Sequence, residues 1–553
     1  MAKNSKYDSL SREQLIDKIQ KLEKERYGLV WEDKEEDVAT RCNAEFPLLK
    51  EDSSREIICD PTLPYNIIIE GDNYHSLYAL SFTHKKRIDV IYIDPPYNTG
   101  KKKEWKYNDS WVDVNDKYRH SKWLSFMSKR LRIAKNLLKK TGVIFISVDN
   151  NEIAQLKLLC DSIFGEKNFC GQIIWRKKSG GGQTDDFFVT EHEYVICYRR
   201  TSAFEWLDES IPMSAKGYKQ EDDRGKYRLV KLAKWGTAAK REDRPTMYFS
   251  LKSPDNKRIY PIAPDGNPGR WRVGKKKMKA LIDGDFVEWA KDDDGLWIPY
   301  EKIYYDGDDV KVLKNRSIYY YVAETGDATR LLTKIFGKKD VFENPKPIEL
   351  IKELLSHSKN SIVLDFFAGS ASTGHAVLEM NKEDGGNRKF ILCTNNENNI
   401  CTEVTYPRIE KVIKGYSNVE GIPANVKYYT QTFVPVVTSD NDKRELVNRS
   451  TEILCVAENC FEKVRERDNQ SDYSVFRNEK KQMAIIYDED SISDCIEYLN
   501  THRFKHETVI YVFSYDHTYD AEDFERLNIK FSVKPIPEAI INVYRKISKM
   551  KKK

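Results

Sequence analysis

The sequence contains a four-residue stretch whose groups suit the binding of a flat amine: Asp94, Pro95, Pro96 and Tyr97. This stretch follows an apolar, β-branched run at residues 89–93, which predicts a buried parallel strand. The strand must stop at the prolines because proline fixes φ and donates no backbone hydrogen bond. An acid, a stiff pair of carbonyls and an aromatic ring are therefore expected at the carboxyl end of a strand, where open α/β sheets bind ligands.

These four residues could serve one particular chemistry. The Asp94 carboxylate and the Pro95 carbonyl can each accept one hydrogen of an exocyclic amine, while Tyr97 offers a face for stacking. An adenine turned out of a duplex is recognised in this way. Acceptance of both hydrogens would localise the nitrogen lone pair and favour attack on an electrophilic methyl group. The alternative interpretation is an ordinary strand-to-loop turn in which Pro95 and Pro96 only end the strand.

A second strand-to-helix turn lies much further along the chain, at residues 361–374. A predicted buried strand ends in Asp365 and runs into a loop of small residues around Gly369, after which a helix begins. Small residues let a ligand approach the backbone, and the N–H groups of the helix start point into the cavity. The next predicted strand, 389–394, is followed by Glu397, an acid placed where such units bind ribose hydroxyls. The pattern indicates nucleotide-type binding, although the loop lacks the full GxGxxG motif.

The elements around these turns alternate between strand and helix. Apolar runs predict further strands at 66–69, 143–149, 171–175 and 193–198. Amphipathic periodicity predicts helices at 118–140 and 151–164. Strands that alternate with helices indicate an α/β fold with a Rossmann-like, doubly wound parallel sheet. Asp72 follows the first of these strands, where it could also cap the next helix.

We predict several regions in the 553-residue chain, since domains usually run to about 100–200 residues. In chain order these are an N-terminal helical extension (1–60), the first half of the sheet domain (61–200), an inserted domain (201–342), the second half of the sheet domain (343–437) and a small C-terminal α/β module (438–553). Ser11 and Gln14 form a predicted capping box at the start of the first helix.

The inserted domain is rich in Gly, Pro, Lys, Tyr and Trp, and its basic residues are predicted to contact nucleic acid. The candidates there are Lys234, Lys240, Arg270 and Arg272. Lys102 and Lys106 lie among aromatic residues just after Tyr97 and are further candidates for phosphate contact. The alternative interpretation is that these cations only keep an insertion and a loop soluble.

The amino-acid composition excludes few classes of function. The net charge is only +5 although 32% of the residues are charged, so the distribution of charge matters more than its sum. The ten cysteines are scattered without a CxxC pair, which supports neither a zinc site nor a thioredoxin-like pair, and we predict no metal. We find no apolar run of about 18 residues and no signal-like start, and we therefore expect a soluble, cytoplasmic protein without a membrane partner.

Taken together, the two turns resemble the motifs of β-class amino-group DNA methyltransferases. In that class the catalytic stretch precedes the cofactor loop, and the target-recognition domain lies between them, as residues 201–342 do here. Aspartate at position 94, where serine also occurs in the class, points to N6 of adenine over N4 of cytosine. The N-terminal extension and the C-terminal module make the chain most similar to the modification (Mod) subunit of type III restriction systems.

The resemblance implies a cofactor, partners and site residues. Asp94, Pro95, Pro96 and Tyr97 would form the adenine site, and S-adenosylmethionine would be the cofactor. The cofactor-binding residues would be Asp72, Lys346, Pro347, Asp365, Phe367, Gly369, Ala371 and Glu397. Double-stranded DNA would be the substrate, with a homodimer and a restriction (helicase/nuclease) subunit as further expected partners.

One residue departs from the family pattern, because position 371 is alanine where glycine is usual. Alanine avoids positive φ, so we expect the loop to close differently or to bind cofactor more weakly. Small neighbours, Ser370, Ser372 and Thr373, lead us to expect that binding survives. Three alternatives stay open: a solitary DNA adenine methyltransferase, a DNA-binding scaffold with a degenerate cofactor site, and methylation of RNA or protein amines.

Overall fold

A computed structural model describes residues 10–24, 31, 36–99, 118–180, 187–206, 209–212, 217–305, 310–516 and 518–550. The chain forms two compact units, one of residues 1–207 with 316–553 and one of residues 208–315. The inserted unit is therefore shorter at both ends than the predicted insertion, 201–342.

The strands of the described chain are β1 (Glu45–Glu51), β2 (Tyr65–Glu70), β3 (Ile88–Ile93), β4 (Leu138–Val148), β5 (Phe169–Arg176), β6 (His192–Arg199), β7 (Glu209–Pro212), β8 (Gln220–Asp222), β9 (Gly225–Lys231), β10 (Leu251–Lys252), β11 (Arg258–Ile259), β12 (Val287–Lys291), β13 (Trp297–Tyr304), β14 (Val310–Leu313), β15 (Ile318–Tyr319), β16 (Ile362–Asp365), β17 (Lys389–Thr394), β18 (Asn425–Pro435), β19 (Glu462–Arg465), β20 (Tyr473–Arg477), β21 (Lys481–Ile486), β22 (Glu507–Phe513) and β23 (Phe531–Ile536). The α-helices are α1 (Arg12–Lys24), α2 (Asp37–Arg41), α3 (Asn73–Thr83), α4 (Arg119–Leu137), α5 (Ile153–Phe164), α6 (Lys275–Asp283), α7 (Thr325–Phe336), α8 (Ile348–Leu355), α9 (Ser372–Asp384), α10 (Tyr406–Lys414), α11 (Asp440–Asn448), α12 (Thr451–Glu458), α13 (Ile492–Thr501) and α14 (Glu538–Met550).

Ten strands form the main sheet of the first unit, in the order β1-β18-β2-β17-β16-β3-β4-β6-β5-β15. Its centre, from β18 to β4, is parallel, which confirms the predicted α/β fold. The whole sheet is mixed, however, because β6 runs antiparallel to both β4 and β5 and β1 runs antiparallel to β18. β5 and β6 pair as consecutive strands without an intervening crossover helix in the described chain, and such strands run antiparallel.

Both faces of the main sheet are covered. Ile91 and Ile93 of β3 belong to one buried cluster, together with residues of α3, α4 and α5. Val90 and Tyr92 point the other way, into a second cluster formed with α8, α9 and α10. This alternation is the period of two that a strand buried on both faces requires.

The N-terminal region is only partly the predicted helical extension. The Ser11–Gln14 capping box is present, with the Ser11 hydroxyl accepting from Gln14 N at 3.2 Å and Gln14 Oε1 accepting from Ser11 N at 2.9 Å. Residues 45–51, however, form β1 at the edge of the main sheet. The strand contains Pro47, which argues against a central strand in the sequence but is tolerated at an edge.

The C-terminal region forms its own sheet, in the order β19-β20-β21-β22-β23, as its alternating pattern predicted. It nevertheless belongs to the first unit and shares its core. The Tyr544 ring lies 4.9 Å from that of Tyr78, and the Tyr544 hydroxyl donates to the Pro47 carbonyl at 2.7 Å. A module independent of the main sheet is therefore not what the structure shows.

The second unit is built around a four-stranded antiparallel sheet in the order β12-β13-β9-β8. Its small core includes Leu232, Trp271 and Met278. Within the ranges given above, no helix of the protein has the length and apolar character needed to cross a membrane.

Candidate active site

The two predicted turns meet at one edge of the main sheet. β3 and β16 are parallel neighbours, and Leu364 pairs with Ile91. Parallel neighbours end at the same edge, so Asp94, directly after β3, and Asp365, the last residue of β16, lie at adjacent strand ends. The tertiary fold thus brings together two stretches that are far apart in the chain.

Asp94 belongs to a compact network of charged groups. Lys346 Nζ lies 3.0 Å from Asp94 Oδ2 and 3.2 Å from Glu193 Oε2. The Tyr97 hydroxyl donates to Asp94 Oδ1 at 2.7 Å and lies 3.1 Å from Glu193 Oε2. Lys177 Nζ completes the network at 3.1 Å from Glu193 Oε1. Two acids are therefore balanced by two lysines, with a tyrosine hydroxyl between the carboxylates.

Burial and charge set the protonation states of this network. Burial raises the pKa of Asp94, and the nearby Lys346 ammonium offsets this only in part. Burial also opposes ionisation of Glu193, but Lys346 and Lys177 outweigh it and lower the pKa of that carboxyl. Burial would lower the pKa of Lys346, but the two carboxylates outweigh it and raise the pKa. Lys346 is therefore a fixed positive charge at neutral pH.

The backbone of the catalytic stretch is held from one side. The indole Nε1 of Trp123, on α4, donates to the Pro96 carbonyl at 2.7 Å. Trp123 itself is completely buried, so this bond has little freedom to move. With the Pro96 carbonyl occupied, the Pro95 carbonyl remains the candidate acceptor for an amine.

The second turn is shaped from within by Asp365. Its Oδ1 accepts from the Phe367 backbone N–H at 2.9 Å, and its Oδ2 accepts from the Thr373 hydroxyl at 2.5 Å. Burial raises the pKa of Asp365 to about 7, while these two hydrogen bonds lower it. Only 3% of the residue is exposed, so both oxygens of Asp365 support the loop, and its contact with a cofactor stays a prediction.

Ala371 adopts the backbone conformation that glycine would favour. It has φ 60° and ψ 30°, in the left-handed region, and directly precedes α9. The expectation that alanine would make this loop close differently is therefore wrong for its backbone shape. The neighbouring carbonyls are tied down, since Arg408 Nη1 donates to Ser370 O at 2.9 Å and the Thr405 hydroxyl donates to Gly369 O at 2.6 Å.

We expect Ala371→Gly to change the free energy of unfolding by less than about 1 kcal/mol, because two effects cancel. Relief of the left-handed strain stabilises by about 1–2 kcal/mol, whereas loss of a buried methyl and added freedom of the unfolded chain cost a similar amount. Ala376→Gly is the matched control, since it is equally buried but lies inside α9. The control should lose about 2 kcal/mol. Urea unfolding of both variants tests this, and equal losses would show that Ala371 is unstrained.

The remaining predicted cofactor residues surround the same edge. Asp72 caps α3, accepting from Tyr74 N at 2.7 Å, which is the structural alternative raised by the sequence. Pro347 is buried and precedes α8, and Phe367 is buried beside Phe126 at 5.9 Å between ring centroids. Glu397 is exposed in the turn after β17.

The predicted nucleic-acid contacts divide into three groups. Arg270 is buried, and its Nε donates to the Ala238 carbonyl at 2.6 Å, so it supports the inserted unit and its predicted role is corrected. Lys240 is exposed beside Asp265, and Arg272 lies 3.5 Å from Glu301, while Lys234 is half-buried. Lys102 and Lys106 lie outside the described residues.

Three residues of the site escaped the sequence analysis. Glu193 and Lys177 flank the catalytic stretch, and Arg408 holds the second turn. Glu193 directly precedes the run 194–198 of β6, and a charged residue at the start of such a buried run is a usable signal. Arg408 offered none, because arginine on an amphipathic helix is expected to face solvent.

An α/β sheet with these two turns at adjacent strand ends defines a nucleotide-binding type of enzyme fold. A family model described as DNA methylase matches residues 88–405, which include both turns, and the chain belongs to this family. The resemblance inferred from the motif order is thereby confirmed.

Individual relatives extend the comparison. The chain is 33% identical over 379 residues to the type III restriction-modification enzyme StyLTI Mod subunit of Salmonella typhimurium, covering 63% of this chain and 56% of that protein. It is 32% identical over 425 residues to the EcoPI Mod subunit of Escherichia phage P1, covering 68% and 64%. It is 35% identical over 352 residues to the type II methyltransferase M.KpnI of Klebsiella pneumoniae, covering 61% and 82%. The chain thus spans 56% and 64% of the length of the two Mod subunits.

Proposed function

We propose that this protein transfers a methyl group from S-adenosylmethionine to N6 of an adenine turned out of duplex DNA, as the modification component of a type III restriction-modification system. One observation carries the proposal, namely the junction of the two turns at Lys346. Its ammonium binds Asp94 at 3.0 Å, and its backbone carbonyl accepts from the Ser372 hydroxyl at 2.7 Å. The proposed amine-binding group and the small-residue loop therefore both contact Lys346.

The second turn suits a bulky nucleoside-type cofactor. Gly369 has φ 48°, and a Cβ there would come 3.2 Å from Phe342 Cζ, so glycine lets the backbone take this path. The loop opens α9, whose first N–H groups face the same edge as Asp94. Glu397, after β17, is placed for ribose hydroxyls. S-adenosylmethionine would supply the electrophilic sulfonium methyl.

Asp94 can receive an amine without losing its present partners. A carboxylate offers about four acceptor positions, and Lys346 and Tyr97 occupy one on each oxygen. The Pro95 carbonyl would accept the second amine hydrogen. Methyl transfer would break the S–C bond and form an N–C bond, and Asp94 is placed to take the proton that the amine nitrogen would then lose. Positioning and electrostatic stabilisation suffice for this step, without a covalent enzyme intermediate.

Glu193 would help to keep the Lys346 ammonium in the site during methyl transfer. It gives Lys346 a second partner, so the ammonium need not leave the site when the amine approaches Asp94. Burial raises the pKa of Asp94, and the adjacent Lys346 ammonium opposes this by favouring the carboxylate. Tyr97 stays a neutral donor, since burial and the nearby carboxylates raise the pKa of its hydroxyl.

The inserted unit, 208–315, would recognise the DNA target. It carries aromatic rings beside cations: the ring of Trp235, 64% exposed, lies 5.3 Å from Lys231 Nζ, and the ring of the half-buried Tyr248 lies 4.5 Å from the Arg241 guanidinium. Such pairs suit phosphate contact and base stacking. The Mod relatives support a restriction subunit as partner. We also propose that the protein forms a homodimer and acts in the cytoplasm.

We expect Lys234→Ala and Lys240→Ala each to weaken DNA binding by removing one phosphate contact. The slope of log K against log salt should fall by about one for each lysine, without a change of target sequence. Arg270→Ala is the control, since its guanidinium is buried against the Ala238 carbonyl. It should lower the melting temperature and leave the slope unchanged. Binding titrations at several salt concentrations measure this, and an unchanged slope for both lysines would remove them from the interface.

The proposed reaction has a direct test. Purified protein is incubated with labelled S-adenosylmethionine and with duplex DNA, RNA or a protein mixture, and DNA from expressing cells is sequenced for N6-methyladenine. Label in duplex DNA together with N6-methyladenine at one short sequence supports the proposal. Label only in RNA or protein, or N4-methylcytosine in the DNA, would replace it with an alternative, and absence of cofactor binding would favour a scaffold.

A further inference from the structure

A polar cluster, buried at Asn98 and Glu152 and partly exposed at His120, adjoins the catalytic stretch and has no part in the chemistry described above. Asn98 follows Tyr97 directly, has φ 57° and is only 3% exposed. Its Nδ2 donates to Oε1 of Glu152 at 2.5 Å. Glu152 precedes α5, so this bond ties the end of the catalytic stretch to a different layer of the fold.

The other contacts of Glu152 fix how the cluster is protonated. Oε1 also lies 2.7 Å from His120 Nδ1, and Arg119 Nε donates to His120 Nε2 at 3.2 Å. Since Nε2 accepts, Nδ1 carries the proton and donates to Glu152. Gln155 Nε2 lies 3.4 Å from the same Nδ1, too far to compete. Two N–H donors therefore converge on one oxygen of Glu152.

The second oxygen of Glu152 has a different environment. Glu152 is completely buried, and within the described residues Oε2 has no hydrogen-bond partner. A buried charge with one unpaired oxygen is costly, so this side chain favours the neutral acid. Burial raises the pKa of Glu152 to about 8, with Asp149 also raising it and with Asn98 and Arg119 lowering it.

We propose that Glu152 is a positioning residue for the methyl-transfer site, and that it holds Asn98, and with it the Asp94–Tyr97 stretch, as a neutral carboxylic acid. The expected effect of Glu152 on methyl transfer rests on the proposed function. The neutral state of Glu152 and its hold on Asn98 do not. Trp123 fixes the middle of the stretch at Pro96, and Glu152 fixes its far end. The stretch would otherwise be free to turn at Asn98, where the backbone is already in the left-handed region.

Glutamine has the shape and the acceptor oxygen of the neutral acid, so Glu152→Gln separates positioning from ionisation. We expect kcat of the wild type to decline as pH rises through about 8, the pKa to which burial raises Glu152, and we expect Glu152→Gln to keep kcat near neutral pH and to lack this decline. Glu152→Ala and Asn98→Ala should lower kcat by roughly 10- to 100-fold, with little change in KM for S-adenosylmethionine. A full kcat for Glu152→Ala, or a wild-type pH profile for Glu152→Gln, would overturn the inference.

A stability measurement tests whether Glu152 is a neutral acid, even if the protein shows no methyltransferase activity. The folded pKa of Glu152, about 8, lies above its ordinary value of 4.5, so the wild type loses stability as pH rises from 4.5 to 8 and stays level above that range. Glu152→Gln loses no proton, and its melting temperature should exceed that of the wild type by a margin that grows over the same range. A difference in melting temperature that stays constant with pH would show that Glu152 is not a neutral acid in the folded protein. If the margin grows with pH but the wild type methylates nothing, the neutral Glu152 that holds Asn98 would be supported and only the proposed function would be rejected.

Discussion

Asp94→Ala is expected to lower the rate of methyl transfer by about 10²–10³-fold or more, since it removes an oriented acceptor at the reacting nitrogen. Cofactor binding should change little, because none of the hydrogen bonds that shape the second turn comes from Asp94. Single-turnover rates with labelled cofactor, together with equilibrium cofactor binding, measure the two effects separately. Folding should survive, because Lys346 retains Glu193 as a partner.

Two control variants sharpen this test. Asp94→Asn keeps one acceptor oxygen but removes the charge and the place for the proton, so it should fall between the wild type and Asp94→Ala. Asp523→Ala removes an exposed carboxyl in the C-terminal region and should leave the rate unchanged. Equal loss of cofactor binding and of transfer in Asp94→Ala would contradict the role assigned to the carboxylate.

Lys346→Met should lower the free energy of unfolding by at most about 3 kcal/mol, because it removes the positive charge shared by the buried Glu193 and the partly exposed Asp94, while Glu193 keeps Lys177 as a partner. Glu193 is only 10% exposed, so water cannot replace the lost partner there, whereas Asp94 is 27% exposed and water can reach it. Asp94 would take up a proton more readily and lose its acceptor function, and methyl transfer should fail as well. Denaturant unfolding at neutral pH gives the stability, and far-ultraviolet circular dichroism shows whether the fold persists.

A double variant distinguishes charge balance from simple packing. Glu193→Gln removes one of the two carboxylates beside Lys346, so adding it to Lys346→Met should recover part of the lost stability. Lys382→Met removes an exposed lysine of α9 and is the matched control, with an expected effect within about 0.5 kcal/mol. Additive losses in the double variant would show that the charges do not interact and would reject the network.

Many elements of the first unit could be predicted because their signals are local. The apolar run before Asp94 forms β3, and the amphipathic run at 118–140 forms α4 as far as Leu137, after which β4 begins, since periodicity reports which faces are buried. β1 was missed because its short run contains Pro47, and only pairing with β18 makes it a strand. The antiparallel direction of β6 and the core shared by Tyr78 and Tyr544 were also invisible, because both depend on neighbours distant in the chain.

The sequence by itself determined the chemical content of the site: an acid held by two prolines after one strand, and a small-residue loop after another. Such content is local, because it depends on residue types and on where a strand must stop. The tertiary structure alone decided the protonation and the geometry. Lys346 meets Asp94 and Glu193 from separate elements, Ala371 is held in a left-handed conformation, and Glu152 clamps Asn98. Electrostatic balance and strain depend on distances in space, which sequence separation does not reveal.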